Sequence, residues 1–129
     1  MANILIIEDQ KPLRNLYRSV LRQFNHETVF VTTGEAGVET ALRERPDLII
    51  LDLLLPGISG TEVAQRLRKL GILPDVPLII TTALNEIDAH SIANSLNATA
   101  VLNKPFSVNS ILNTVSSALN ATSPKALSS

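Results

Sequence analysis

Three short stretches of this chain are continuously aliphatic: Ile4-Leu5-Ile6-Ile7, Leu48-Ile49-Ile50-Leu51 and Leu78-Ile79-Ile80. A strand with one wet face alternates apolar and polar side chains. An unbroken run has no wet face, so it must be covered on both sides, as in a parallel sheet. Two more β-rich stretches, Thr28-Val29-Phe30-Val31 and Ala100-Val101-Leu102, complete a set of five. None approaches the ~20 apolar residues that span a bilayer.

Between and after these runs the apolar spacing becomes helical. Leu13, Leu16, Tyr17, Val20, Leu21 and Phe24 recur at i, i+3, i+4 and i+7, and so do Val108, Ile111, Leu112, Val115 and Leu119. Shorter helices are expected over Glu35–Glu44 and Thr61–Leu70. The weakest, Ile87–Leu96, is rich in Ala, Ser and Asn. Pro12 suits a first helical turn. Ser59 with Glu62 three residues on forms a capping-box pattern, and Ser107 can cap the last helix. The order is strand then helix, five times. Right-handed crossovers then put helices on both faces of one doubly wound α/β sheet.

At 129 residues the chain holds one core, and 45% apolar residues with 18% charged exclude a disordered chain. Aromatics are only 3%, so that core is aliphatic. A net charge of −1 argues against direct nucleic-acid binding, which wants a basic excess. The absence of cysteine removes disulfides, thiolate metal sites and thiol nucleophiles, and fits a reducing compartment. The first apolar run has no basic segment before it and closes on Glu8-Asp9, unlike a signal peptide. Cytoplasmic location without a membrane partner is therefore expected. Two Asn-x-Thr sequons, at Asn97 and Asn120, are chance matches on that reading. Residues 1–120 form the expected domain. The small, polar stretch 121–129 is a flexible tail or the start of a linker, and Met1 so close to the first strand suggests a natural N-terminus.

Ligands in an open α/β sheet sit beyond the carboxyl ends of the strands. Glu8 and Asp9 follow the first strand, and Asp52 follows the third. Thr81 and Thr82 end the fourth, and Lys104 follows the fifth. Singly, each is an ordinary loop or capping residue. Together they deliver three carboxylates, a hydroxyl and an amine to one rim. Clustered carboxylates repel unless a cation neutralises them, and oxygen donors without His or Cys suit Mg²⁺. An Asp beside Mg²⁺ is a competent nucleophile toward phosphorus, and a Lys and a Thr hydroxyl suit the oxygens of a transferred phosphoryl group.

The segments ILIIEDQ, PDLIILDLLLPGISG, PLIITTA and LNKPF resemble the signature segments of bacterial response-regulator receiver domains, in that family's order and spacing. The resemblance runs from Asn3 to about Leu119. It implies a flavodoxin-like, five-stranded parallel sheet of order 2-1-3-4-5 with five helices, the order general for that receiver fold. It further implies that Asp52 is the phosphoacceptor, with Asp9 a direct Mg²⁺ ligand. Glu8 is then the acidic partner acting through water, and the Leu54 carbonyl is the third protein ligand. Thr82, followed by the small Ala83, matches the switch hydroxyl. Lys104 matches the lysine on the phosphoryl group, its bond to Pro105 cis. Leu55-Pro56 and Gly60 match the loop entering the third helix. The implied donor is a histidine kinase or phosphotransfer protein, and the implied target a downstream protein or output domain.

The chain departs from that family's pattern in places. Val101 stands where a Tyr or Phe is common three residues before the lysine, and its stiff, small side chain is unsuited to an aromatic rotamer switch. Asn97-Ala98 replaces Gly-Ala, mildly, since Asn tolerates a left-handed cap. From Ala89 onward there is no Asp or Glu, and only Lys104 and Lys125 are basic. The face of the fourth helix, fifth strand and fifth helix is therefore nearly uncharged, either a solvated face or a partner surface. Arg14, Arg18 and Arg22 line the first helix as solvated or kinase-facing groups. His26 and His90 read as isolated surface residues. Two other functions compete. One is a small Mg²⁺ phosphohydrolase, which normally wants a second acid or base beside the nucleophile, where Leu53 and Leu54 stand. The other is a pseudo-receiver, an interaction module that carries no phosphate and would lack the Asp or Lys.

Overall fold

The structure, a computed structural model, describes residues 2–121. Five strands form one parallel sheet: β1 (Asn3–Ile7), β2 (Glu27–Val31), β3 (Leu48–Asp52), β4 (Leu78–Thr82) and β5 (Ala100–Asn103). They lie in the order β2-β1-β3-β4-β5, the flavodoxin-like order expected. The helices are α1 (Lys11–Arg22), α2 (Gly34–Glu44), α3 (Gly60–Lys69), α4 (Glu86–Ser95) and α5 (Val108–Ala121). The helix α5 enters the stretch assigned to a tail by one residue, and the rest of that stretch lies outside the described residues. No helix among the described residues is long and apolar enough to cross a membrane.

The aliphatic runs occupy the sheet's centre. Every residue of β3 and β4 is buried, as is β1 from Ile4 onward. Alternate side chains feed two cores. Ile4, Ile6, Leu48, Ile50, Ile79 and Leu102 pack with Tyr17, Val20 and Leu21 of α1 and with Ile111, Val115 and Ala118 of α5. Leu5, Ile7, Ile49, Leu51, Leu78 and Ile80 pack on the other face with Ala41, Val63, Ala64 and Leu67. Burial of each such side chain stabilises the fold by about 1.5–3 kcal/mol. The mixed patterns of β2 and β5 belong to edge strands, which are covered incompletely.

Local signals hold with two exceptions. Pro12 lies in the first turn of α1. Ser59 accepts from the Glu62 N–H, but Glu62 turns its carboxylate to Arg66 instead of closing the reciprocal capping bond. Ser107 accepts from the Ser110 N–H at 3.1 Å. Asn97 sits at φ 54°, the left-handed cap expected. Phe24 does not extend the apolar stripe of α1: the helix ends at Arg22 and the ring is 52% exposed. Asn25, at φ 63°, turns the chain immediately after it, and the His26 N–H closes the helix end on the Leu21 carbonyl.

His26 is not an isolated surface group. Its Nδ1 accepts the Ala2 N–H at 3.1 Å, tying the start of the chain to the start of β2. Burial lowers its pKa from the usual 6.5. The neutral ring is the acceptor, so this bond contributes stability that is full above pH 6.5 and lost as pH falls through the lowered value. Denaturation midpoints measured at about pH 7.5 and 5.5 should show a smaller acid loss in His26→Ala than in the wild type. Identical losses would remove the assigned role.

Candidate functional site

The site lies where β1, β3, β4 and β5 end together. Glu8 comes two residues after Ile6, Asp52 two after Ile50 and Lys104 two after Leu102, so each continues the strand face covered by α1 and α5. Glu8, Asp9 and Asp52 bring carboxylate oxygens within 4.8 Å of one another. Glu8 and Asp52 are 1% and 3% exposed, and Asp9 is open to solvent.

One cation bridges the two buried acids. The Lys104 Nζ donates to Asp52 Oδ2 at 3.0 Å and to Glu8 Oε1 at 3.4 Å. The remaining oxygens are held by backbone. The Leu54 N–H donates to Asp52 Oδ1 at 3.1 Å, and the Gln10 N–H to Glu8 Oε2 at 3.1 Å. Burial pushes the Glu8 carboxyl above its usual range against the pull of the Gln10 N–H, and the Asp52 charge adds to the rise while Lys104 opposes it. Three carboxylates thus face one ammonium, and all the donors they offer are oxygen.

The loops around the site are fixed by close approach. A Cβ on Gly60 would lie 2.6 Å from Leu53 Cα and 2.7 Å from the Asp52 carbonyl oxygen, so only glycine lets α3 begin this close to Asp52. Gly60 N–H also donates to the Leu53 carbonyl at 3.0 Å. Among the described residues nothing donates to the Leu54 carbonyl, which is free to serve as a ligand. The Lys104–Pro105 peptide is cis, as is Leu73–Pro74, which the sequence did not announce.

Thr82 is 5% exposed and its Oγ1 accepts the Leu84 N–H at 3.2 Å. Its hydroxyl makes no hydrogen bond to Asp52 or Lys104. The two are linked instead through backbone, since Lys104 N–H donates to the Thr82 carbonyl at 2.7 Å. Leu54 is 85% exposed and Leu84 41%. Val101 is half-buried and packs against the aliphatic cluster on the face opposite α1 and α5.

Two supporting roles, of Arg14 and Asn103, were not apparent from sequence, while Thr81 falls where expected. Arg14, read as solvated or kinase-facing, folds back: its Nη1 donates to the Asp9 carbonyl at 2.8 Å and the Glu8 carbonyl at 3.2 Å, clamping the acidic loop. Its place in the first turn of α1 was the only available signal. Asn103 donates from Nδ2 to the Leu84 carbonyl at 2.9 Å. Thr81 pairs in register with Asp52 across β3 and β4. Arg18, by contrast, stacks its guanidinium 4.6 Å from the Phe30 ring centroid, away from the site. His90 is exposed on α4.

Residues 4–116 match the response regulator receiver domain family, so the chain belongs to it. The family's members are phosphoacceptor modules of two-component signalling and are generally not true enzymes. They interact with histidine kinases and output domains. The chain is 31% identical over 121 residues to the phosphate regulon transcriptional regulatory protein PhoB of Pseudomonas aeruginosa, covering 94% of this chain and 53% of that one. It is 31% identical over 112 residues to the sporulation initiation phosphotransferase F of Bacillus subtilis, covering 87% of this chain and 89% of that one. In structure it is similar to the receiver domain of the sensor histidine kinase PA1611 of P. aeruginosa, solved with magnesium coordinated in its active-site cleft. That likeness has a TM-score of 0.83 at 24% identity, over 92% of this chain and 97% of that one. The chain spans about half the length of several curated relatives it matches, including PhoB.

Proposed function

We propose that Asp52 is the phosphoacceptor of this receiver and that Mg²⁺ is its cofactor. The observation that carries the reading is the buried Asp52 carboxylate paired at 3.0 Å with Lys104 inside a three-carboxylate cluster. Glu8, Asp9, Asp52 and the Leu54 carbonyl fit a hard, oxygen-seeking ion. When bound, Mg²⁺ neutralises the carboxylates and the phosphoryl oxygens. A carboxylate oxygen of Asp52 forms the new bond to phosphorus, the bond to the donor's leaving group breaks, and the leaving group departs with its electron pair. The Lys104 ammonium passes from Asp52 Oδ2 to a phosphoryl oxygen. The Thr82 hydroxyl, whose proton is unspent, bonds another.

The donor on this reading is a histidine kinase or phosphotransfer protein, and the readout a downstream protein or output domain in the cytoplasm. Val101 leaves the response to Thr82 and its loop. The structure starts α4 at Glu86, so its first turn carries two exposed carboxylates, Glu86 and Asp88; apart from these the α4–β5–α5 face is nearly uncharged, and that part is where a partner packs without ion pairs. The phosphohydrolase reading is weaker, because Leu53 and Leu54 give no acid or base beside Asp52.

Metal binding tests the site directly. Mg²⁺ at ten times its Kd should add about 1.4 kcal/mol of stability by linkage, which raises Tm by about 5–6 °C in a domain of this size. Without metal, Asp52→Asn should be more stable than wild type by about 1 kcal/mol, since it leaves two carboxylates facing one ammonium. Melting curves that ignore Mg²⁺ would reject the metal site.

A further inference from the structure

A closed ring of hydrogen bonds joins Thr82 to β5 by way of the loop after β4. Thr82 and Asn103 are register partners across β4 and β5. Thr82 comes two residues after Ile80 and Asn103 two after Val101, so both side chains belong to the sheet face opposite α1 and α5. The Thr82 Oγ1 accepts the Leu84 N–H at 3.2 Å, and the Leu84 carbonyl accepts from Asn103 Nδ2 at 2.9 Å. The Lys104 N–H donates to the Thr82 carbonyl at 2.7 Å and closes the ring. Leu84 lies between β4 and α4, so neither a sheet ladder nor a helix fixes its peptide groups. Side chains hold them instead.

We propose that Asn103 is a positioning residue for Thr82, acting through Leu84. The inference rests on the phosphoacceptor reading, in which the Thr82 hydroxyl donates to a phosphoryl oxygen. A hydroxyl carries one proton and two lone pairs, and its proton rotates to suit its surroundings. The Leu84 N–H takes up one lone pair of Oγ1 and so limits where the proton can point. That limit holds only while Leu84 stays in place. Asn103 anchors it to the end of β5, beside the lysine whose ammonium lies 3.0 Å from Asp52. The two donors meant for phosphoryl oxygens, hydroxyl and ammonium, are thus set from neighbouring residues of one strand end. A donor already in position costs no ordering when the oxygen arrives.

Two measurements test this. Metal-free amide exchange at Leu84, followed by NMR, should run about fivefold faster in Asn103→Ala than in wild type, as expected for loss of one hydrogen bond. Asn103→Leu fills similar space without a donor and should behave the same, which keeps the test open if alanine loosens the strand end. Beryllofluoride with Mg²⁺ then stands in for the phosphoryl group. By calorimetry Asn103→Ala should bind it about fivefold more weakly, with affinity for Mg²⁺ alone unchanged. Thr82→Val lacks the hydroxyl, and in that background Asn103→Ala should cause no further loss. Equal weakening in both backgrounds marks a merely structural role and overturns the proposal, as does wild-type exchange at Leu84 in both Asn103 variants. A wild type that binds Mg²⁺ but no beryllofluoride rejects the phosphoacceptor reading and this inference with it. A wild type that binds the probe, with Asn103→Ala binding it equally well, rejects this inference alone.

Discussion

Incubated with acetyl phosphate and Mg²⁺, the wild-type chain should gain one phosphoryl group and Asp52→Asn none, read by intact mass. The effect is all or none because, of the two buried carboxylates that each hold a backbone N–H and the ammonium, Asp52 holds the ammonium more closely, at 3.0 Å. Glu8 is held by the same ammonium more loosely, and Asp9 lies out in solvent. Lys104→Ala should retain metal binding but label more slowly by about a hundredfold, the usual effect of deleting one preorganised donor to a developing oxyanion. Label that persists in Asp52→Asn would move the nucleophile to another residue.

The second large effect concerns how long the label lasts. The Leu54 N–H touches Asp52 Oδ1, and the Leu84 N–H touches Thr82 Oγ1, so one leucine neighbours the acceptor and the other the threonine hydroxyl. Leu54 at 85% exposure does not pack onto a loop. Its N–H on Asp52 keeps the residue beside the acceptor. Neither leucine can hydrogen-bond a water lined up behind phosphorus, and both tend to exclude it. Slow loss of the phosphoryl group is expected, suited to a phosphate store or a sustained signal. Leu54→Asn or Leu84→Glu should speed the decay about tenfold, since one orienting contact worth about 1.4 kcal/mol suffices. Decay followed by mass or by radiolabel checks this, and unchanged rates in both variants would reject the shielding.

Much of the fold was legible because the aliphatic runs admit one environment. Ile4–Ile7, Leu48–Leu51 and Leu78–Ile80 had to be central strands, and a strand-helix alternation then leaves few topologies. The sheet order itself came with the family resemblance. The helix end at Arg22 was misjudged because Phe24 continued the periodicity, and apolar spacing is blind to the left-handed Asn25 that ends it. The capping box at Ser59 half-formed because Glu62 had a competing partner one turn on, Arg66.

At the site, sequence determined which chemical groups arrive at the carboxyl rim: Glu8, Asp9, Asp52, Thr82 and Lys104 each follow or end a strand whose direction the sheet fixes. Their pairing was decided only by tertiary structure. Lys104 lies 52 residues from Asp52 and 96 from Glu8, and no local pattern states which carboxylate an ammonium meets or how it is shared. Arg14 shows the same limit. Its spacing on α1 gives a helical surface position, but whether a long side chain extends into water or folds back onto two carbonyls depends on where the β1–α1 loop lies. Tyr17 of α1 and Ile79 of β4 pack in one cluster. Periodicity places each on a face, and only the packing of helix on sheet brings them together, because such contacts join residues that the chain itself keeps far apart.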